Sequence, residues 1–585
     1  MLQFFKYVLA TIVGIILLQI IALLLFFGIA GALSSDDKTE VADNSVLKLD
    51  LNKVLVDQAP ADNPFAELGG AFSEASPVGL VQVKKALANA KLDPHIKGVY
   101  LQAGYPQAGW ATVEELRKAL LDFRKSGKFV YTYGEVLSEK GYYLSSASDR
   151  NYLNPAGGIE FNGISAEYQF FKGTLDKLEI KPLIFRVGTY KSAVEPFFRT
   201  DMSEENKAQT RSFLNSIHGF VLANIAKSRN LTVPRLTALK DSLLVQTPQQ
   251  ALEYGLITHV GYYDEFESDL KKTLKFNDAD KKIEFITLSK YEKAEEYVKD
   301  GDSENRVAVL FTAGDIVSGK GSDGQIGSDK IAAELRKLRK DKKVKAVVLR
   351  IDSPGGSALA SDVIWREVIK TKEVKPIIAS MGDYAASGGY YMAMGATKIV
   401  AEPTTITGSI GIFGVLFNFD NLLKNKLGIT SDRVGTNAHS DWPSVTREMT
   451  EFEKNIIQQQ VNRGYEIFTS KAAQGRKMPI EKLKALAGGR VWTGAEAKAN
   501  GLVDVLGGLD EAVKLAAQEA KLKDYRVRYP ARKTFWQEIM SNADDEMESR
   551  SLKAQFGELA PYVKQFQKIK SMEGLQVRMP FLEIQ

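Results

Sequence analysis

Strands alternating with helices along two stretches of similar plan predict an α/β protein with parallel strands, built from two tandem copies of one domain. Three observations carry this reading. Apolar runs such as Ala346-Val347-Val348-Leu349-Arg350-Ile351 lack regular polar alternation, as strands buried on both faces do. Segments with helical spacing separate them, for example Val113, Leu116 and Leu120. Motifs also recur at a nearly constant offset. Gly134 … Gly141-Tyr142-Tyr143 … Gly163-Ile164 matches Gly382 … Gly389-Tyr390-Tyr391 … Gly411-Ile412 (382 − 134 = 248; 411 − 163 = 248). Arg186-Val187-Gly188-Thr189 matches Arg433-Val434-Gly435-Thr436 (433 − 186 = 247), and Thr247 … Gly255-Leu256 matches Thr493 … Gly501-Leu502 (501 − 255 = 246). A period near 247 residues means duplicated domains, since solenoid repeats run about 20–50 residues.

The elements follow in order. Residues 7–33 are apolar apart from a few small or polar positions, long enough to cross a hydrocarbon core of about 30 Å. Residues 1–33 are therefore expected to be a transmembrane anchor rather than a cleaved signal peptide. Lys6 precedes the segment, and Asp36, Asp37 and Glu40 follow it, which predicts a cytoplasmic N-terminus with the body on the outer side. Residues 34–45 read as a linker. In the first domain, 46–275, strands are expected at 46–51, 98–101 and 129–131, with helices at 81–90, 112–124 and 203–228. Residues 276–305 form a charged connector. The second domain, 306–520, repeats the plan, with strands at 307–311, 346–351 and 377–379 and helices at 331–339, 358–370 and 450–475. Residues 521–585 are expected to be a charged, mostly helical tail.

Composition narrows the chemistry. The 585 residues carry a formal net charge of +5, spread thinly, with no basic block of the kind that binds nucleic acid. Absence of cysteine excludes disulfides, thiol catalysis and thiolate zinc sites. His95, His218, His259 and His439 fit no metal-ligand spacing, so no metal site is expected.

The two copies differ where chemistry is possible. Ser409, in Thr407-Gly408-Ser409-Ile410-Gly411, lies opposite Phe161; Lys191, in Gly188-Thr189-Tyr190-Lys191-Ser192-Ala193, lies opposite Ala438. One half has the serine and the other the lysine, which suggests one composite site. Glycine neighbours allow a tight turn and close approach of a substrate backbone at Ser409. A buried lysine loses charge and can serve as a general base, so a Ser–Lys pair needs no histidine. Read alone, Lys191 could equally pair with Glu195 at the surface. Asp352-Ser353-Pro354-Gly355-Gly356-Ser357 follows a strand and is expected to open a helix. Its amides at Gly355 and Gly356, with that of Ile410, are candidate oxyanion donors. The first copy reads Gly104-Tyr105-Pro106-Gln107-Ala108-Gly109 there, without the two loop glycines. Two rivals stay open: Ser387, opposite Glu139, as the nucleophile, and His439 as a base within the second domain.

Taken together, these motifs resemble the signal peptide peptidase A family in its long, duplicated form. The resemblance rests on Asp352-Ser353-Pro354-Gly355-Gly356, the stretch 382–391, Thr407–Gly411 and Tyr190-Lys191-Ser192-Ala193, and spans residues 45–520 together with the N-terminal segment. It implies Clp-protease/crotonase-like domains and a serine endopeptidase with Ser409 as nucleophile and Lys191 as general base. It also implies remnant signal peptides and other membrane-associated peptides as substrates, cleaved at the outer face of a bacterial-type inner membrane. A homotetramer and no cofactor are further implications. In the related Clp proteases the nucleophile matches the Ser387 region instead. A crotonase-type acyl-CoA enzyme and a non-catalytic membrane scaffold are the alternatives.

Overall fold

The computed structural model describes residues 39–61, 76–276, 281–298, 301–532, 574–579 and 583–584, with part of residues 3–21. Most of the expected anchor lies outside the described residues, and among these no helix is long and apolar enough to cross a membrane.

Each repeat is built on a largely parallel sheet. In the first, the strand order is Phe285–Thr287, Ser45–Asp50, Ile96–Gln102, Phe129–Leu137, Arg150–Ile159 and His259–Val260, with every pair parallel. In the second, Arg526–Arg528, Arg306–Ala313, Val344–Ser353 and Ile377–Ala386 lie side by side in parallel, and Ile377–Ala386 is flanked by Lys398–Ala401 and Ile406–Gly408. The central strands are apolar on both faces because helices cover both; Ala346 through Leu349 and Ile351 are fully buried. Helix Ser328–Lys340 shows how the local sequence fixes its face. Ile331, Leu335 and Leu338 fall on one side and are buried, Asp329 lies in the first turn, and Lys337, Arg339 and Lys340 lie in the last.

Two segments contribute strands that the sequence reading did not place. The charged connector contributes Phe285–Thr287 as an edge strand of the first sheet, paired with Val46–Lys48. The tail, expected to be mostly helical, shows strands at Arg526–Arg528, Gly574–Arg578 and Glu583–Ile584 in its described part. In each case sheet pairing overrides local charge, because an edge needs backbone partners whatever the side chains are.

The repeats are locked together by a third sheet and a polar seam. In the third sheet, Lys181–Arg186 of the first repeat pairs antiparallel with Phe413–Asn418 of the second through six residue pairs, Arg186 opposite Phe413 and Lys181 opposite Asn418. At the seam, helix Trp110–Arg124 starts at Gly109, which has no side chain to cap it. Asp383 of the other repeat caps it instead, accepting from the Gly109 and Thr112 amides at 3.0 and 2.9 Å. Beside it the buried Arg350 guanidinium meets Asp57 at 2.9 Å and Glu115 at 2.8 Å. Burial would raise the Glu115 carboxyl, but Arg350 and Lys84 hold it down at about 2.

Replacing Arg350 with leucine strips the cation from Asp57 and leaves Glu115 with Lys84 alone. Chemical denaturation should show a loss of about 3–5 kcal/mol, and a loss under about 1 kcal/mol would mean that the seam is solvated.

Candidate active site

Lys191 reaches the second repeat because of what precedes it. Strand Lys181–Arg186 is held against Phe413–Asn418, and Val187 donates to the Ile412 carbonyl at 3.3 Å. The chain then turns at Gly188, whose φ of +97° is open to glycine at little cost. The Tyr190 amide donates to the Gly488 carbonyl at 3.1 Å, so the chain on both sides of the turn is fixed to the other repeat.

The lysine side chain is fully buried. Its Nζ lies 3.0 Å from Ser409 Oγ, 3.0 Å from the Ser409 carbonyl oxygen and 2.8 Å from Ser387 Oγ. Burial with no carboxylate among the shifting groups drives its pKa well below the ordinary lysine value. A neutral amine has two N–H groups and one lone pair, and three oxygens surround it. The carbonyl can only accept, so one hydroxyl accepts the second N–H and the other donates its proton to the lone pair. That is the arrangement of a base with one activated serine and one orienting serine.

Both serines are held in left-handed backbone conformations. Ser409 follows strand Ile406–Gly408 with φ +49°, directly after Gly408 at +76°, and its amide donates to the Arg490 carbonyl at 2.7 Å. Ser387 follows strand Ile377–Ala386 with φ +54° and opens helix Gly388–Ala393; its amide donates to the Gly408 carbonyl at 2.8 Å. Such conformations cost about 1–3 kcal/mol each outside glycine and collect at functional positions.

The structure brings Lys191, Ser409 and Ser387 together. His439 is elsewhere, on the exposed stretch after residue 425, where its Nδ1 lies 3.2 Å from Glu453 Oε1. Glu195 is no partner of Lys191; its carboxylate accepts from Ser203 and Asn206. The glycine loop is also corrected. Gly355–Ser357 is a short strand, and helix Ala358–Lys372 begins after it, capped by Ser357. Gly355 and Gly356 have φ of +112° and +154°, and the Gly355 amide donates to Ser353 Oγ at 3.2 Å. Ser357 supplies the cap oxygen that the glycines cannot, so the helix starts beyond them. Ile410 is buried, and its carbonyl accepts from the Gly489 amide at 2.9 Å.

Sequence reasoning missed the segment Gly488-Gly489-Arg490, which packs against both halves of the site. A Cβ on Gly489 would lie 2.7 Å from the N, Cα and Cβ of Lys191. At the offset of 246 the first repeat has Ser242-Leu243 there, so the glycine pair is confined to the half that receives the lysine. That contrast was the available signal. The first repeat's own version of the site is filled. Glu139 stands at the Ser387 position in an ion pair with Lys240, whose ammonium also lies 4.4 Å from the centre of the Phe161 ring.

Comparison with known proteins agrees with the duplication. The profile of Peptidase family S49 matches residues 122–277 and 369–523, and that of Clp protease matches residues 299–406. Protease 4 of Salmonella typhi is 35% identical over 516 residues, covering 86% of this chain and 82% of that protein. Serine protease SPPA, chloroplastic, of Arabidopsis thaliana is 35% identical over 453 residues, covering 76% and 66%. Protease 4 of Haemophilus influenzae is 35% identical over 503 residues, covering 82% and 80%.

Gly489→Ala should displace Lys191 while leaving both sheets intact. Labelling of the active serine by a fluorophosphonate is expected to slow about a hundredfold, with cooperative unfolding retained. Labelling at the original rate would show that the contact is not needed to place the base.

Proposed function

Since the chain belongs to peptidase family S49 and is a serine-type peptidase, we propose that it is an endopeptidase working through a Ser409–Lys191 dyad assembled across its two repeats. The observation that carries this reading is the buried, charge-depleted Lys191 amine within hydrogen-bond reach of Ser409 Oγ. Lys191 touches Ser409 twice, at the hydroxyl and the carbonyl, and Ser387 once. Ser387 is the orienting hydroxyl.

The neutral amine takes the Ser409 proton as the oxygen attacks a peptide carbonyl. The oxyanion is assigned to the backbone amides of Gly356 and Ile410, since that of Gly355 is taken by Ser353 Oγ, and one such donor typically contributes about 10²–10³ in rate. The tetrahedral adduct collapses to an acyl-enzyme as the lysine ammonium protonates the leaving amine. A water, deprotonated by the again neutral lysine, then releases the acyl group and restores Ser409. No step calls on a metal or an organic cofactor.

The substrates we propose are remnant signal peptides and other membrane-associated peptides, met outside the cytoplasm by a body tethered through residues 1–33. A homo-oligomer, a tetramer by family resemblance, belongs to the same proposal. Its support is the stretch that corresponds in the second repeat to the lysine-bearing arm. Leu427, Ile429 and Val434 are exposed there, whereas in the first repeat's arm Ile180 and Phe185 are buried and the apolar residues between them are partly covered by the paired strand. The natural cover for such a patch is the matching surface of another copy.

Turnover of a synthetic signal peptide tests the dyad. Ser409→Ala and Lys191→Ala should each abolish cleavage, whereas Ser387→Ala should retain about 1–10% of it. Loss of fluorophosphonate labelling in Ser387→Ala but not in Ser409→Ala would exchange the two serines. The pH profile gives a separate check. A lysine with lowered pKa is a base only above that pKa, so kcat/KM should fall as pH drops through it and stay level on the alkaline side up to the free-lysine range. An acid limb sited at the pKa of free lysine, about 10.4, would contradict the burial argument.

A further inference from the structure

Lys191 sits on a loop, and a loop alone does not keep a long amine out of water. The helix that follows carries further support. Helix Glu204–Arg229 belongs to the first repeat, yet one face of it bonds to the second. Gln209 Oε1 accepts from the Val491 amide at 3.2 Å, Ser212 Oγ donates to Glu496 at 2.6 Å, and Ser216 Oγ lies 2.8 Å from Thr493 Oγ1. Positions i, i+3 and i+7 share one helical face, so the three form a single polar stripe. Helix Glu451–Arg476 of the second repeat has the same length and a matching hydroxyl cap, Thr450 for Ser203. There the equivalent residues are Ile456, Gln459 and Arg463 (456 − 209 = 247; 463 − 216 = 247), and the last two are exposed.

Gln209 is the member of the stripe that touches the lysine loop. Its Nε2 lies 3.2 Å from the Tyr190 carbonyl oxygen, 3.0 Å from Ser192 Oγ and 3.1 Å from Asn206 Oδ1, so two N–H groups are shared among three acceptors. Tyr190 and Ser192 are the two neighbours of Lys191 in the chain. One amide thus holds both of them and, through Oε1, the strand that follows Gly488-Gly489-Arg490. That amide has only one satisfied orientation. The Val491 N–H can only donate, which fixes Oε1 toward it. At the far end the Glu195 carboxylate accepts from Asn206 Nδ2 at 3.1 Å, which turns Asn206 Oδ1 back onto Gln209. Glu195, Asn206, Gln209 and Ser192 are all buried, where an unmade hydrogen bond is costly. The second repeat has Trp442, Glu453 and Ile456 in place of Glu195, Asn206 and Gln209 (442 − 195 = 247; 453 − 206 = 247), so this network is confined to the half that carries the lysine.

We propose that Gln209 is a positioning residue for the reaction: it clamps residues 190–192 to the second repeat and so keeps Lys191 out of water and in line with Ser409. Its hydrogen bonds go to the loop and not to the reacting atoms, so it acts through the lysine. The cause of the lysine's lost charge is burial, and releasing the clamp admits water and restores the charge. The inference deepens the dyad reading and rests on Lys191 being the base.

The pH dependence of fluorophosphonate labelling in the full-length enzyme tests this, with Gln209→Met set beside Thr210→Val. Methionine keeps the bulk of glutamine and removes its hydrogen bonds. Thr210 is the next residue of the same helix, also buried, and its hydroxyl lies 3.0 Å from that of Tyr168, so its change loosens the helix without touching the clamp. Gln209→Met should move the acid limb up by about one pH unit or more, toward the free-lysine value of about 10.4. At neutral pH its labelling should slow at least about tenfold and recover on the alkaline side. Thr210→Val should keep the limb of the unaltered enzyme. Gln209→Asn, polar but one methylene short, should behave as Gln209→Met does and replaces it if the methionine variant does not fold. An unmoved limb in the Gln209 variants, or an equal move in Thr210→Val, overturns the clamp and leaves the dyad standing. An unaltered enzyme that is not labelled, or that shows no acid limb, removes the dyad reading and the clamp with it.

Discussion

Everything at the site depends on one piece of backbone pairing, the six-residue antiparallel match of Lys181–Arg186 with Phe413–Asn418. A lysine side chain is long and loses much rotamer entropy when fixed, and desolvating its charge is costly. Nothing in the immediate sequence of Lys191 offsets that cost. The offset comes from the ladder behind it, the Tyr190–Gly488 hydrogen bond ahead of it, and the Ser409 carbonyl and Ser387 hydroxyl oxygens, which accept the two N–H groups of the neutral amine. The amine gives up its charge as the condition of being placed there, and the loss of charge is what makes it a base.

The same division of labour explains the seam between repeats. Asp383 caps a helix that cannot cap itself, and Arg350 neutralises carboxylates from the other half. These buried polar contacts are satisfied only when the two repeats meet in one register. They contribute specificity of docking more than raw stability, because a buried ion pair roughly balances its own desolvation. A dyad split across a docking surface needs that specificity, since catalytic distances tolerate little error.

Much of this was legible in the residues because a duplication serves as its own control. Ser409 against Phe161 and Lys191 against Ala438 pointed to one composite site, and the structure places the two side chains 3.0 Å apart. Apolar runs announced the central strands, since burial on both faces leaves little room for polar alternation. The unread parts share a physical cause. Phe285–Thr287 and Gly574–Arg578 are strands by virtue of the edges they meet, and an edge hundreds of residues away leaves no local signature. The start of helix Ala358–Lys372 was legible, but the loop before it was not, because glycines at a strand's end look like an open turn until the strand that Gly355–Ser357 forms is seen. Gly488-Gly489 escaped because a glycine that yields space to a distant side chain resembles any other turn.

The split has a consequence for how the molecule is made. The ribosome delivers the end of the first repeat, residue 275, well before Ser409 and Gly488 (409 − 275 = 134; 488 − 275 = 213). During that interval the nascent chain holds a lysine with no nucleophile to activate, while the first repeat's own cleft is stoppered by Glu139, Lys240 and Phe161. Domains fold as units, N-terminal first, on the timescale of synthesis. With the dyad proposed above, hydrolysis cannot begin before Ser409 is made, so the order in which the sequence is written delays activity until the second repeat is present.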